Sequence, residues 1–152
     1  MASKKKTKPK SIINRRARFD YNIGDSYTVG MELTGAETKA LRLGHGQLTG
    51  SYVTVKGGEL WLLNATINGT GSIRIGESEQ TRTRRLLANR KEIEKMIEAK
   101  TQGKTIIPLE LLTQGRFIKL KIALAQGKKR YDKRQTIKKR EENRQINRNL
   151  NR

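Results

Sequence analysis

From Arg116 to Ala125 the chain alternates, with Ile118, Leu120, Ile122 and Leu124 set against Lys119, Lys121, Ala123 and Ala125. That period of two predicts a half-buried strand with one apolar face and one partly basic face. Upstream, Thr105 to Leu112 is β-rich, Pro108 suggests an edge position, and Thr113-Gln114-Gly115 reads as a turn joining the two strands into a hairpin. A second hairpin is signalled where Gly57-Gly58 separates Tyr52 to Val55 from Leu60 to Ile67. Tyr21 to Leu33 adds one or two strands, broken near Gly24 or Gly30. Two helices interrupt the pattern. Thr34-Gly35-Ala36-Glu37 has the form of a capping box and opens a short helix over Ala36 to Leu43 that stops at Gly44. Asn89 to Glu92 offers a similar cap to a longer helix ending near Gly103, with Ile93, Met96 and Ile97 on one face. The fold class is therefore mainly β with short helices, and roughly five or six strands suit a small antiparallel barrel of the oligonucleotide-binding type.

Periodicity fails in two places. Residues 64–85 are rich in Gly, Ser and Thr and read as a mobile loop with a basic end at Arg82, Arg84 and Arg85. After Gln126 the only sizeable apolar side chains are Tyr131, Ile137, Ile146 and Leu150. They cannot offset the entropy of ordering such a tail, at about 1 to 2 kcal/mol per residue for the backbone alone. The tail is expected to be unfolded alone and helical when a polyanion receives it. Arg140, Arg144, Arg148 and Arg152 recur every four residues and would form one cationic stripe.

Charge gives this division a purpose. The net charge of +20 splits into +8 over residues 1–18, +4 over residues 19–125 and +8 over residues 126–152. Two basic arms flanking an almost ordinary domain fit a protein that grips phosphate backbones. The predicted organisation is accordingly a basic N-terminal arm (1–18), a barrel (19–125) and a basic C-terminal tail (126–152). There are no cysteines, which excludes structural disulfides and thiolate chemistry and suits the reducing cytoplasm. No apolar run approaches a membrane span of about 20 residues, and the basic start is not followed by the apolar segment of a signal peptide. A soluble monomer is expected.

Catalytic sets are missing from the sequence. His45, the single histidine, sits in Gly44-His45-Gly46 without a second histidine or a cysteine to share a metal. Glu92, Glu94 and Glu98 alternate with Lys91, Lys95 and Lys100 as on a solvated helix surface. Neither Gly69-Thr70-Gly71 nor Gly44-His45-Gly46 has the setting of a phosphate loop. The chain reads as a binding protein without cofactor or metal, not an enzyme.

Five ordered segments then carry a resemblance: N-R-R-A-R-F-D-Y (Asn14 to Tyr21), L-T-G-A-E-T-K-A-L-R (Leu33 to Arg42), S-Y (Ser51-Tyr52), R-T-R-R-L-L (Arg82 to Leu87) and G-K-K-R-Y-D-K-R (Gly127 to Arg134). Together they resemble the small protein B family, the bacterial partner of transfer-messenger RNA in ribosome rescue. The resemblance implies a barrel that clasps the tRNA-like domain of that RNA. It also implies a tail that enters the empty messenger channel of the small ribosomal subunit and reads the decoding centre. Elongation factor Tu and alanyl-tRNA synthetase would be partners only indirectly, through the RNA.

Carried over residue by residue, the family's RNA contacts match Asn14, Arg15, Arg16, Arg18, Leu87 and Lys119. Phe19 stands where many members have His, keeping a plane for stacking, and Thr28 stands where many have a carboxylate. The basic residues Arg82, Arg84, Arg85, Lys128 and Lys129 are further candidates for RNA. The ribosome-reading set is Tyr131, Asp132, Lys133 and Arg134, followed by Lys138, Lys139 and Arg140. A structural ribosomal protein with basic extensions is the competing reading, with a nuclease a distant third.

Overall fold

The computed structural model describes residues 11–150, apart from the side chains of residues 130–132. The chain runs β1 (Ser11–Ile13), α1 (Ala17–Asp20), β2 (Tyr21–Met31), α2 (Gly35–Arg42), β3 (Gly46–Gln47), β4 (Tyr52–Lys56), β5 (Glu59–Leu63) and β6 (Thr66–Ile67). It continues through α3 (Glu77–Gln80), β7 (Arg84–Leu87), α4 (Arg90–Thr101), β8 (Thr105–Leu112), β9 (Lys119–Gly127) and α5 (Arg130–Leu150).

The main sheet is antiparallel and curls back on itself. Its order β8-β4-β5-β7-β2-β9 returns to β8 because β9 pairs with both β2 and β8. The seams of this ring are thin at β4–β8, where only Val53 and Ile106 pair, and at β2–β7, where Gly30 faces Leu87 and Met31 faces Leu86. The inward side chains fill the ring in the manner of a small barrel. Val29, Leu60, Leu62, Leu86, Ile106, Leu120 and Ile122 meet Leu41 of α2 and Met96 of α4 in one cluster.

Both predicted hairpins form. Gly57 and Gly58, at φ of 63° and 76°, make the turn between β4 and β5, a conformation that favours glycine at both central positions. The last hairpin is β8 and β9, paired from Thr105 opposite Ala125 to Leu112 opposite Lys119. Pro108 is not at an edge, however. It sits where the β8–β9 register shifts and between the stretches of β8 that pair with β4 and with β1, so its missing N–H falls at a bulge.

Both capping predictions point to real helices, with one difference. In α2 the Thr34 hydroxyl accepts from the Glu37 N–H at 3.2 Å and the Glu37 carboxylate accepts from the Thr34 N–H at 3.0 Å. In α4, Asn89 occupies the cap position without a side-chain bond. The buried face of α4 runs through Met96 and Ala99, while Ile97 is exposed.

Two expectations need correcting. Arg84 and Arg85, read as the end of a loop, open strand β7, which lies between β5 and β2. Residues 11–18 belong to the body and not to a separate arm: β1 pairs with β8, and Asn14 and Ala17 are buried. Ala17 packs with Ile107, Leu109, Ala123 and Ala125, so α1 covers the outside of the β8–β9 hairpin. That cover is why the outer positions of β9 change from lysine to alanine halfway along the strand. The tail is helical over Arg130–Leu150, the conformation expected of it when bound. Its first turns rest on the body, with Lys133 Nζ 3.3 Å from an Asp20 carboxylate oxygen and Lys128 Nζ donating to Thr136 Oγ1 at 3.2 Å. These contacts supply a base from which the helix continues, and its later residues are exposed.

Candidate nucleic-acid interface

Strand β9 is the spine of the candidate interface. Ile118, Leu120 and Ile122 point into the core, so Lys119 and Lys121 are directed outward on one line, about 7 Å apart at the spacing of alternate strand residues. Each lysine lies at the rim of a different cavity.

The first cavity, of about 440 Å³, opens where β2, β7 and β9 meet the start of α4. Thr28, Gly30, Leu87 and Lys119 line it, together with Arg85 and the acids Glu59 and Glu92. The register accounts for the grouping. Gly30 pairs with Lys119 on one side and Leu87 on the other, so an exposed leucine and a lysine flank a residue with no side chain. The result is a shallow trough with an apolar wall and a cationic wall.

The second cavity, of about 390 Å³, gathers Asn14, Arg15, Arg18, Lys121 and Arg140, with Glu110 as the acidic member. Asn14 anchors it. Its N–H donates to the Leu109 carbonyl at 2.8 Å and its Nδ2 to the Pro108 carbonyl at 2.9 Å. Its Oδ1 is buried and has no hydrogen-bond partner among the described residues.

Phe19 ends up ringed by cations. Arg16, Lys133 and Arg140 stand 5.7, 5.9 and 5.9 Å from its ring centroid, within the range of cation–π attraction. Arg16 also pairs with Asp20 at 3.6 Å. The predicted stacking plane therefore carries the tail in this conformation.

The cluster Arg82, Arg84 and Arg85 does not behave as three free RNA contacts. Arg84 has no exposed surface. Its Nε donates to Glu37 Oε2 at 2.6 Å, and its other nitrogens donate to the carbonyls of Ala65, Glu79, Gln80 and Arg82. The guanidinium thus holds together α2, the residues around α3 and the strand β7. Burial alone would push the Glu37 carboxyl up, but hydrogen bonds from Arg82, the Thr34 N–H and Arg84 hold it below its ordinary range. Arg82 shares that carboxylate. Arg85 bridges Glu32 at 3.2 Å and Glu59 at 2.6 Å. Arg84 is an interior structural residue, and its side chain is closed to RNA. The sequence offered a hint: Glu37, the capping-box acid, needs a buried cation when its helix packs inward, and charge clustering alone does not tell such an arginine from a surface one.

In the tail, Lys129, Arg134, Lys138, Lys139 and Arg140 are exposed, and Lys128 and Lys133 are half-buried against the body. The predicted roles of Tyr131 and Asp132 fall on side chains outside the described residues. Among the described residues no group of three or more His, Cys, Asp or Glu side chains could hold a metal ion. No described helix is long and apolar enough to cross a membrane. His45 is exposed, with its N–H bonded to the Ala40 carbonyl.

Residues 11–152 match the family described as SmpB protein. The chain belongs to the SmpB family. Its SmpB relatives include the SsrA-binding protein of Maricaulis maris, 46% identical over 149 residues that cover 93% of this chain and 96% of the relative. The SsrA-binding protein of Thermosipho africanus is 45% identical over 141 residues, covering 91% and 95%. Among solved structures, a chain from "tmRNA-SmpB: a journey to the center of the bacterial ribosome" aligns with a TM-score of 0.67 at 32% identity. That alignment covers 85% of this chain and 95% of the other. The mainly β architecture expected from alternation is thus the architecture of an SmpB protein.

Proposed function

We propose that this chain binds the tRNA-like domain of transfer-messenger RNA, delivers it to stalled bacterial ribosomes and takes part there in trans-translation. The observation that carries this reading is the joining, by one outward face of β9, of a mixed trough walled by Leu87 and Lys119 to a cavity rich in arginine and lysine, in a chain of the SmpB family. The body does the RNA binding, through Asn14, Arg15, Arg18, Leu87 and Lys119. The tail, with Lys133, Arg134, Lys138, Lys139 and Arg140, reads the empty messenger channel near the decoding centre. As a helix its 21 residues span about 31 Å at 1.5 Å per residue, which suits a narrow tunnel walled by RNA. The protein works in the cytoplasm by binding, without chemistry of its own, and meets elongation factor Tu and alanyl-tRNA synthetase only through the RNA they share.

The test is to sequence the RNA that copurifies with the protein from its host. Transfer-messenger RNA should dominate and should leave the ribosome with the protein at high salt. Retention on empty subunits through such a wash would instead identify a structural ribosomal protein. Truncation after Tyr131 should leave RNA affinity within a few fold, because both cavities are built mainly from the body. Electrophoretic titration of the truncated protein checks this.

Salt should matter strongly. If about six phosphates are neutralised, log K should fall with log salt at a slope near −4 to −5, a loss of about two to three decades between 50 and 200 mM. A flat response would mean that charge is not what holds the RNA.

A further inference from the structure

The turn between β8 and β9 presents the most exposed aromatic ring among the described residues. Phe117 is 69% exposed, although a phenylalanine ordinarily gains stability from burial. The ring is not on a loose loop. The Arg42 guanidinium, reaching across from α2, donates to the carbonyls of Thr113 at 3.1 Å, Gly115 at 2.9 Å and Arg116 at 3.1 Å. Directly after Phe117, Ile118 is buried in the core. The turn is therefore clamped on both sides of the exposed ring.

The surroundings of the ring are cationic. Arg116 Cζ lies 5.5 Å from the Phe117 centroid. Phe117 lies in the bend two residues before β9, and Lys119 and Lys121 follow it on the outward face of that strand while Ile118 and Leu120 are buried. The same face carries the trough formed by Leu87, Gly30 and Lys119. A rigid, uncovered aromatic plane at the end of a line of cations has the chemistry of a stacking platform for an unpaired base. Aromatic rings supply such platforms with little regard to sequence, while neighbouring cations take the phosphates.

We infer that Phe117, braced by Arg42 and flanked by Arg116, stacks on an unpaired base of the tRNA-like domain of transfer-messenger RNA, extending the interface beyond Lys119. The inference rests on the RNA-binding reading above and deepens it. A base is favoured over an apolar protein partner because Arg116 stands beside the ring and the strand that follows it carries Lys119 and Lys121 outward.

The test titrates the transcribed tRNA-like domain with the full chain carrying Phe117→Ala, Phe117→Leu or Phe117→Trp, each checked for unchanged thermal unfolding. Phe117→Ala should weaken binding about five-fold to a hundred-fold, and Phe117→Leu should stay weak because it restores apolar area without a π face. Phe117→Trp should recover affinity, and its added fluorescence over the Trp61 background should be quenched by RNA. The slope of log K against log salt should not change in Phe117→Ala, which removes no charge, whereas Arg116→Gln should lower it by about one. Wild-type affinity in both Phe117→Ala and Phe117→Leu would overturn the platform while leaving the RNA reading intact. So would a defect confined to ribosome association. If the wild-type chain fails to bind this RNA at all, the RNA reading falls and the platform with it.

Discussion

Replacing Glu37 with alanine is expected to destabilise the fold by about 3 to 5 kcal/mol, the usual result of removing one partner from a buried ion pair. Glu37 is 3% exposed and Arg84 is fully buried. The substitution strands the Arg84 charge, frees Arg82 and breaks half of the capping box at Thr34. A domain of this size holds only about 5 to 15 kcal/mol in total, so the denaturation midpoint should fall steeply. Glu37→Gln keeps a hydrogen-bonding side chain without the charge and should lose less. A change below about 1 kcal/mol in the alanine variant would mean that the pair is no more than a surface-type bridge.

The same carboxylate gives a pH signature. Its pKa in the folded state lies below its ordinary value of 4.5. The stability it contributes is therefore fully present above the unfolded value and is lost as pH falls through the folded value. Wild-type stability minus that of Glu37→Gln should be constant near neutral pH and shrink only below about 4.5. A difference that instead grew on acidification would reverse the sign of this linkage.

How much of this was legible in the sequence depended on whether local pattern and tertiary environment agreed. The hairpins at Gly57-Gly58 and at residues 113–115 were legible because turn chemistry and alternation reinforce each other there. Helix α2 was legible because Thr34 and Glu37 cap it reciprocally. Strand β7 was not, since Arg84-Arg85-Leu86-Leu87 shows no apolar alternation and its inward position at 84 is an arginine satisfied by Glu37 and four carbonyls. Strand β1 was hidden for a different reason: three residues are too few for a period, and their place comes from pairing with β8, about a hundred positions away in the chain. The interface was half legible. Lys119 could be placed outward from alternation alone, but its juxtaposition with Leu87 exists only through the pairing of both with Gly30 in β2. Phe117 passed unnoticed because one aromatic in a turn carries no sequence signal. Its exposure and the clamp by Arg42 are properties of the folded chain.

The other large effect belongs to the root of the tail. Replacing Asp132, Lys133 and Arg134 together with alanine should leave RNA affinity nearly unchanged while abolishing peptide tagging on stalled ribosomes. These residues follow the last strand at the start of α5, outside both cavities of the body. Lys133 and Arg134 can donate charge-assisted hydrogen bonds to ribosomal RNA phosphates or bases, and Asp132 can orient one of them or accept from a base amino group. Each such bond is worth about 1.5 to 3 kcal/mol, so losing two would reduce the productive state by about two to four decades. Lys133 must leave Asp20 and Phe19 to act in this way, an exchange that exposed pairs permit because their attraction is small. Specific recognition is separated from bulk charge by a scrambled tail in which the same three residues are moved further along the helix. The scrambled chain keeps the net charge and should bind RNA normally, yet fail to support tagging in a reconstituted system at physiological salt. Full tagging by that chain would mean that the tail serves only as a cationic arm.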